Sequence, residues 1–325
     1  MSGSVLVTGA SGFVGSALCS SLLAQGYRVR AALRSADSMP SAQDLDVFAV
    51  GDVGAQTDWS AALTAVDCVI HCAARAHVMH ENEGAAAATY RAVNVEGTQR
   101  LAEQAVALGV RRLVFLSSIK VNGEQTALGA PFLFSDVPAP EDPYGVSKWE
   151  AEQALWVVSA QTGLEVVVVR PPLVYGPRVK GNLLRLLKLL RLGIPLPFDR
   201  FKNQRSLIGL DNLVDVLMLC VHHPAAAGKT FLVADGQDLS TSDLIRQMAS
   251  AMGKKAYLLP LPIYMLKMAG YIFRRQRDVE KLVGSLQISS RYVQETLNWM
   301  PKKTVESGIR GMVCSFIAEH EGKKK

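Results

Sequence analysis

Tyr144 and Lys148 stand four residues apart in the stretch DPYGVSKWEAEQAL. On a helix that spacing puts a phenol and an ammonium one turn apart on the same face. The ammonium is expected to favour the tyrosinate and draw the phenol from about 10 towards neutrality. A phenol so poised gives or takes a hydroxyl proton. Ser118 closes the apolar run in RLVFLSSIKVNGE, where a hydroxyl can hold an oxygen passing between alcohol and ketone, with Ser117 as the alternative. Each feature alone is common, because solvated helix faces carry Tyr and Lys and strand ends carry serine in turns.

What joins them is the start of the chain, LVTGASGFVGSALCSSLLAQGYRVRAALRS. Gly9 allows a tight turn, Gly12 lets backbone approach a pyrophosphate, and Gly15 lets a helix pack on a sheet. The helix that follows aims free N–H groups and a positive dipole at the phosphates. This reads as a dinucleotide site, which gives the phenol a partner reaction, hydride transfer to or from a nicotinamide. Lys148 is then also placed to hold the nicotinamide ribose.

The elements that must position these groups alternate. Val5–Thr8, Arg28–Leu33, Val47–Val50, Cys68–His71, Leu113–Ser117 and Val166–Arg170 are short, apolar and β-branched, as buried parallel strands are. Helical patterns fill the gaps at Gly12–Ala24, Thr57–Ala65, Thr89–Leu108 and Pro143–Gln161. Asp142 caps the last of these, Pro143 opens it and Gly163 closes it. The expected fold is α/β, a Rossmann-type doubly wound parallel sheet over residues 1–170 with ligands at the carboxyl ends of the strands. Residues 171–325 are expected to form a smaller, mainly helical substrate-binding region, with helices at Leu183–Leu192, Leu210–Val221, Thr241–Met252, Ile263–Phe273 and Ser289–Leu297. Strands of this region returning to the main sheet are allowed for.

The chain has 325 residues, 49% apolar and 20% charged, and a net charge of +6. The charge suits anionic substrates or a membrane surface, although much of it sits in Arg274-Arg275-Gln276-Arg277 and Lys323-Lys324-Lys325. Nothing points to nucleic acid. The five cysteines have no two-residue spacing of the metal or redox kind, so no metal is expected and the thiols fit a reducing compartment. No basic-then-apolar leader opens the chain, so the expected location is cytoplasmic. The most apolar stretch, Leu258 to Phe273, holds Pro260, Pro262 and Lys267 and is too broken to span a membrane. It reads as a buried helix, with a surface helix on a membrane as the alternative.

The spacing Gly-x-x-Gly-x-x-Gly after Thr8, the pair Tyr144/Lys148 and the stretches SSIKVNGE and RPPLVYGP resemble extended short-chain dehydrogenases/reductases, the NAD-dependent epimerase/dehydratase group. The resemblance runs from Val5 to Gly176. It implies Ser118 as the catalytic serine beside Tyr144 and Lys148, with Asn122 where the family usually has Tyr. It adds Ser11, Phe13 and Val14 to the phosphate turn, and Ala73-Ala74 of HCAARAHV as backbone over the pyrophosphate. Asn94 matches an Asn that props the active-site backbone. Asp52 with Val53 falls at the adenine, and Ser117 and Pro171 also count among the cofactor contacts. Leu33 stands where sugar epimerases of the family carry an Asp for the ribose. Arg34 and Ser35 follow, and a guanidinium there grips a 2′-phosphate. NADP(H) is therefore the favoured cofactor, with NAD(H) as the alternative.

Downstream, Leu173 replaces the Asn that touches the sugar in the family's nucleotide-sugar members. Asn182, Phe198 and Arg205 match residues at the diphosphate, beside uracil and at the diphosphate again. Ser118, Lys120, Asn122 and Arg277, or Lys281 in place of Arg277, are further substrate candidates. The pattern is similar to bacterial proteins of O-antigen and lipopolysaccharide synthesis. The reading this favours is an NAD(P)H-dependent reductase of a UDP-4-keto-6-deoxy-N-acetylhexosamine, forming UDP-N-acetylquinovosamine with Tyr144 as general acid. A UDP-glucose or UDP-N-acetylglucosamine 4-epimerase with tightly bound NAD is the alternative. Reduction of a non-sugar ketone and a catalytically dead sensor rank lower, the second because Ser118, Tyr144 and Lys148 are all present. A homodimer paired through Thr89–Leu108 and Pro143–Gln161 is implied by resemblance.

Overall fold

The computed structural model describes residues 3–35, 45–76, 83–199, 201–262 and 276–321, together with 264, 265, 268 and 271. Its first half alternates strand and helix. The strands are β1 (Ser4–Thr8), β2 (Arg28–Leu33), β3 (Leu45–Ala49), β4 (Cys68–His71), β5 (Arg112–Leu116) and β6 (Glu165–Arg170). The helices are α1 (Phe13–Ala24), α2 (Ser60–Leu63), α3 (Glu83–Tyr90), α4 (Gly97–Ala107) and α5 (Pro143–Thr162). A π-helical segment, Arg91–Glu96, joins α3 to α4, and a 3₁₀ turn covers Ile119–Val121. The second half adds β7 (Leu173–Tyr175), α6 (Gly181–Leu192), β8 (Leu207–Gly209), α7 (Leu210–His222), β9 (Lys229–Leu232) and α8 (Thr241–Ala251). It ends with α9 (Gln276–Val283), α10 (Arg291–Leu297) and α11 (Val305–Glu321).

Seven parallel strands form one sheet in the order β3-β2-β1-β4-β5-β6-β9. Residues alternate between its faces. Val5, Val7, Val114 and Val167 pack under α1, α7 and α10, while Leu6, Val69, Leu113 and Val166 pack under α2, α4 and α5. The sheet is thus the doubly wound Rossmann-type layer that strand–helix alternation implies. The second half contributes β9 and two covering helices, α7 and α10, to that layer. Its remaining helices bury a separate core, with Leu187 of α6, Met248 of α8 and Ile309 of α11 at its centre. A small parallel pair, β7 and β8, leads from the sheet into this lobe.

Two expected helices come out differently. The one expected over Thr57–Ala65 is confined to Ser60–Leu63, because Thr57 donates to the Asp52 carbonyl in a turn and Ala65 takes a left-handed φ of 55°. The run expected over Thr89–Leu108 begins at Glu83 and widens to π geometry, with the Gly97 N–H reaching the Ala92 carbonyl five residues back. The helix expected at Ile263–Phe273 lies largely outside the described residues.

Candidate functional site

The phosphate turn joins β1 to α1. Gly9 has φ +64°, and a Cβ there would sit 2.8 Å from the Ala73 nitrogen. A Cβ on Gly15 would lie 2.2 Å from the Gly9 carbonyl oxygen, so only glycine lets α1 pack on the turn. A Cβ on Gly12 would meet only that oxygen, at 3.0 Å, and otherwise open space. Gly12 is the N-cap of α1 and gives no side-chain cap to its free N–H groups. Ser11 is exposed and Phe13 and Val14 are half-buried around this opening. The cradle fits a dinucleotide pyrophosphate.

At the far end of the edge, Asp142 caps α5 by accepting from the Gly145 N–H at 2.7 Å, and Gly163 closes it at φ 78°. The expected caps are both present. A Cβ on Gly145 would come 2.7 Å from the Lys120 carbonyl, so α5 sits directly on the turn that follows β5. That turn carries Ser118, half-buried, whose Oγ accepts from the Lys120 N–H at 3.3 Å. The Ser117 N–H donates to Val169 O and the Ile119 N–H to Pro171 O, which ties the ends of β5 and β6 together. Ser118, Tyr144 and Lys148 thus converge on one sheet edge.

Their electrostatics differ from the sequence expectation. Burial pushes the Tyr144 phenol above its usual range, with the Asp142 carboxylate and Tyr90 adding to the effect. Lys148 is 1% exposed and stands over the Phe115 ring, 4.0 Å from its centroid. Burial brings it down to about 7, against the pull of the Glu152 carboxylate. The expected lowering of Tyr144 by Lys148 is not what the ligand-free chain has, because desolvation dominates and the nearby Asp142 carboxylate acts in the same direction.

Beneath these groups runs a chain of buried polar contacts. The Ala73 N–H donates to Thr8 Oγ1, and the Thr8 hydroxyl meets His71 Nδ1 at 2.6 Å. His71 Nε2 meets Thr98 Oγ1 at 2.9 Å, and Thr98 donates to the Asn94 carbonyl at 2.6 Å. Since Thr98 spends its proton on Asn94, the pattern assigns the His71 proton to Nε2. Burial, helped by the Lys148 charge, lowers His71 to about 3, so it stays neutral. Asn94 lies in the π-helical segment and brackets Arg75, accepting from its N–H and donating to its carbonyl. It also donates to Ser147 Oγ, and Ser147 donates to the Tyr144 carbonyl. The phosphate turn and the first turn of α5 are thereby linked through side chains. A second anchor joins α5 to β6. Glu152 and Arg170 form a fully buried ion pair through two contacts, at 3.0 and 2.5 Å. Ser117 also donates to Glu152.

The sequence reading singled out Asn94 and missed His71, Thr98, Ser147, Glu152 and Arg170. One local signal was available, since Glu152 and Thr98 each lie one helical turn beyond a residue already singled out.

The remaining candidates fall into three groups. Arg34 and Asp52 are exposed and paired with each other, Nε to Oδ1 at 2.8 Å, beside exposed Ser35. Val53 packs against Gly97, and Ala74 lies exposed beyond Ala73. On the substrate side Lys120 bridges Glu124 and Asp142, and stands 5.8 Å from the Tyr144 ring centroid. Arg205 is half-buried, donates to the Gly284 carbonyl, and is lowered by burial against the Glu124 charge. Asn182 is exposed on α6 and Phe198 packs against Phe201. Asn122 departs from expectation as a substrate contact. It is 3% exposed and its Oδ1 accepts from Arg170 at 2.9 Å, so it supports the ion pair beneath the site. Arg277 and Lys281 lie on α9, with side chains outside the described ones.

A Rossmann-type sheet with this glycine turn and a Ser/Tyr/Lys edge defines an enzyme of the extended short-chain dehydrogenase/reductase type. The model of the "NAD dependent epimerase/dehydratase family" matches residues 5–234, and the chain belongs to that family. It is 45% identical over 316 residues to a Vibrio cholerae "UDP-glucose 4-epimerase", covering 97% of this chain and 95% of that one. It is 29% identical to an Escherichia coli O157:H7 "N-acetyl-alpha-D-glucosaminyl-diphospho-ditrans,octacis-undecaprenol 4-epimerase", covering 84% and 80%. Among solved structures, "MoeE5 in complex with UDP-glucuronic acid and NAD" superposes with a TM-score of 0.79 at 26% identity, covering 98% and 100%.

Proposed function

We propose that the protein is a UDP-sugar 4-epimerase that works on retained NAD. One observation carries this reading, the 45% identity running along 97% of the chain to a UDP-glucose 4-epimerase. The relative solved with UDP-glucuronic acid and NAD supports the same ligand classes. When bound, NAD supplies a reversible hydride acceptor. The Gly9–Gly15 turn and the N-terminus of α1 hold the pyrophosphate. Lys148 holds the ribose and sets the charge beside Tyr144. Tyr144 exchanges the proton of the C4 hydroxyl as that carbon passes through the ketone, and Ser118 holds the same oxygen. Burial keeps the ligand-free phenol protonated, so its ionisation belongs to the ligand-bound site. Residues 1–170 carry the cofactor contacts, and Lys120, Asn182, Phe198 and Arg205 from both halves face the UDP-sugar.

The Arg34–Asp52 pair supports NAD over NADP. Asp52 already takes up the guanidinium expected at a 2′-phosphate, and its own charge repels one. One observation favours a second reading, reduction of a 4-keto sugar. Leu173, 46% exposed at the start of β7, offers no hydrogen bond where nucleotide-sugar relatives carry Asn. The two readings separate on incubation with UDP-glucose or UDP-N-acetylglucosamine without added cofactor. Formation of the 4-epimer supports the proposal. No epimer, with NADPH consumed when a UDP-4-keto-sugar is added, supports the reductase.

We further place the protein in the cytoplasm, in surface-polysaccharide synthesis, as a homodimer. The groove between α4 and α5, walled by Val106, Ala154 and Val157, is the expected pairing face. Light scattering on the purified protein tests the dimer.

A further inference from the structure

The described residues of the apolar stretch after α8 are not buried as its composition suggests. Leu258 packs inward on the second core, while Tyr257 and Leu259 on either side are 57% and 46% exposed. This segment is bound to the end of α6, with Leu196 N–H donating to the Tyr257 carbonyl and Leu259 N–H to the Leu196 carbonyl, both at 2.8 Å. The alternation continues across that contact, for Leu196 is buried while Leu192 and Ile194 are 69% and 43% exposed. Further along, Tyr264, Met265, Met268 and Tyr271 are 69%, 42%, 57% and 72% exposed. Of the 20 large hydrophobic side chains exposed among the described residues, nine lie in these two segments. Scattered exposed apolar residues are ordinary, but a concentration of this kind marks a contact surface.

Charge identifies the partner. Residues 180–198 and 254–277 hold ten of the chain's 35 Lys and Arg and none of its 29 Asp and Glu. The rest of the chain carries more acidic than basic residues. Arg185, Lys188 and Arg191 are exposed on α6, and Lys254 and Lys255 are exposed at the start of the second segment. Lys254 also reaches across to the Arg191 carbonyl, joining the basic and apolar parts. Asp199 donates its N–H to the Leu259 carbonyl, and Arg246 pairs with the Asp199 carboxylate at 2.8 Å. Exposed tyrosines and methionines flanked by basic side chains match the boundary between acyl chains and anionic headgroups. A second copy of the chain would set these basic stretches against each other.

We infer that this face docks on the surface of an anionic phospholipid bilayer, lying on it without crossing it. Lys254, Lys255, Tyr264 and Met268 are not among the residues assigned to the cofactor or the UDP-sugar, and docking through them does not depend on the reaction assigned to that site. The test is co-sedimentation of the full chain with vesicles of phosphatidylcholine alone or mixed with phosphatidylglycerol. Binding to the mixed vesicles, weakened by salt, is expected. Tyr264→Ser with Met268→Ser should reduce the bound fraction at least about tenfold through lost apolar burial. Lys254→Gln with Lys255→Gln should reduce it about fivefold per charge removed. Turnover of soluble substrate should be unchanged in both. No vesicle binding by the wild-type chain overturns the inference, as does binding that neither double variant weakens. Self-association abolished by the Tyr264/Met268 variant would assign the face to a second copy and also overturn it.

Discussion

Two regions of the candidate site are built by opposite rules. On the cofactor side, Thr8, His71, Asn94, Thr98, Ser147, Glu152 and Arg170 are each no more than 3% exposed, and each has partners. On the side proposed for the sugar, Lys120, Glu124 and Asp142 form a cluster with side chains 29%, 17% and 19% exposed, and Asn182 is open to solvent. Buried polar groups tolerate little loss, because a partner removed leaves a desolvated charge or dipole behind. Half-exposed pairs are replaced by water at small cost. The difference suits an enzyme whose chemistry is fixed and whose sugar pocket is free to vary.

The sharpest break should come at the reacting group. Tyr144→Phe is expected to lower turnover about 10²–10⁴-fold while leaving the bound nucleotide in place, as read by assay and by absorbance of the denatured extract. Next is the buried anchor. Arg170→Met alone strands Glu152 and should cost about 3–5 kcal/mol, whereas Arg170→Met with Glu152→Leu should recover much of it. Urea unfolding of the two variants decides this, and equal losses would mean that the pair's value lies in more than its charges.

Lys148 gives the comparison a pH axis. Burial lowers it from 10.5 to about 7. Between those values the unfolded chain holds a proton that the folded chain lacks, so stability of the nucleotide-free protein should rise with pH across that window. Lys148→Met should remove the slope and stabilise the protein most at or below pH 7, on the order of a few kcal/mol. Melting temperatures from pH 6 to 10 would show it, and parallel profiles for both proteins would contradict it. Asn94→Ala should cost about 1–3 kcal/mol by removing the buried hydrogen bonds of Asn94 to the Arg75 backbone and Ser147, with kcat falling more than KM rises. The smallest effect is expected at the exposed rim, where Arg34→Ala should shift stability by no more than about 1 kcal/mol and leave retained NAD unchanged.

The sequence shows the cofactor side more clearly than the sugar side. The strands at Arg28–Leu33 and Cys68–His71 and the capped helix from Pro143 are where pattern and caps put them. Glycine spacing and the Tyr144/Lys148 interval are local signals, so they survive in one dimension. The Glu152–Arg170 pair spans two elements, and His71 gains its role only when β1, β4 and α4 meet around it. The strands at Leu173–Tyr175, Leu207–Gly209 and Lys229–Leu232 are three or four residues long, too short for a period to register. The exposure of Tyr257, Leu259 and Tyr264 was hidden by local composition, since apolar residues read as core until their neighbours are known.

The central claim is a cofactor held for many turnovers above the buried polar network of Thr8, His71, Asn94 and Thr98. Its most direct test is to denature the purified protein and identify the nucleotide released. Stoichiometric NAD that added NADPH does not exchange, in a protein that forms a 4-epimer without further cofactor, is the predicted result. A protein that releases no nucleotide, binds NADPH reversibly and consumes it on a 4-keto sugar would contradict the account.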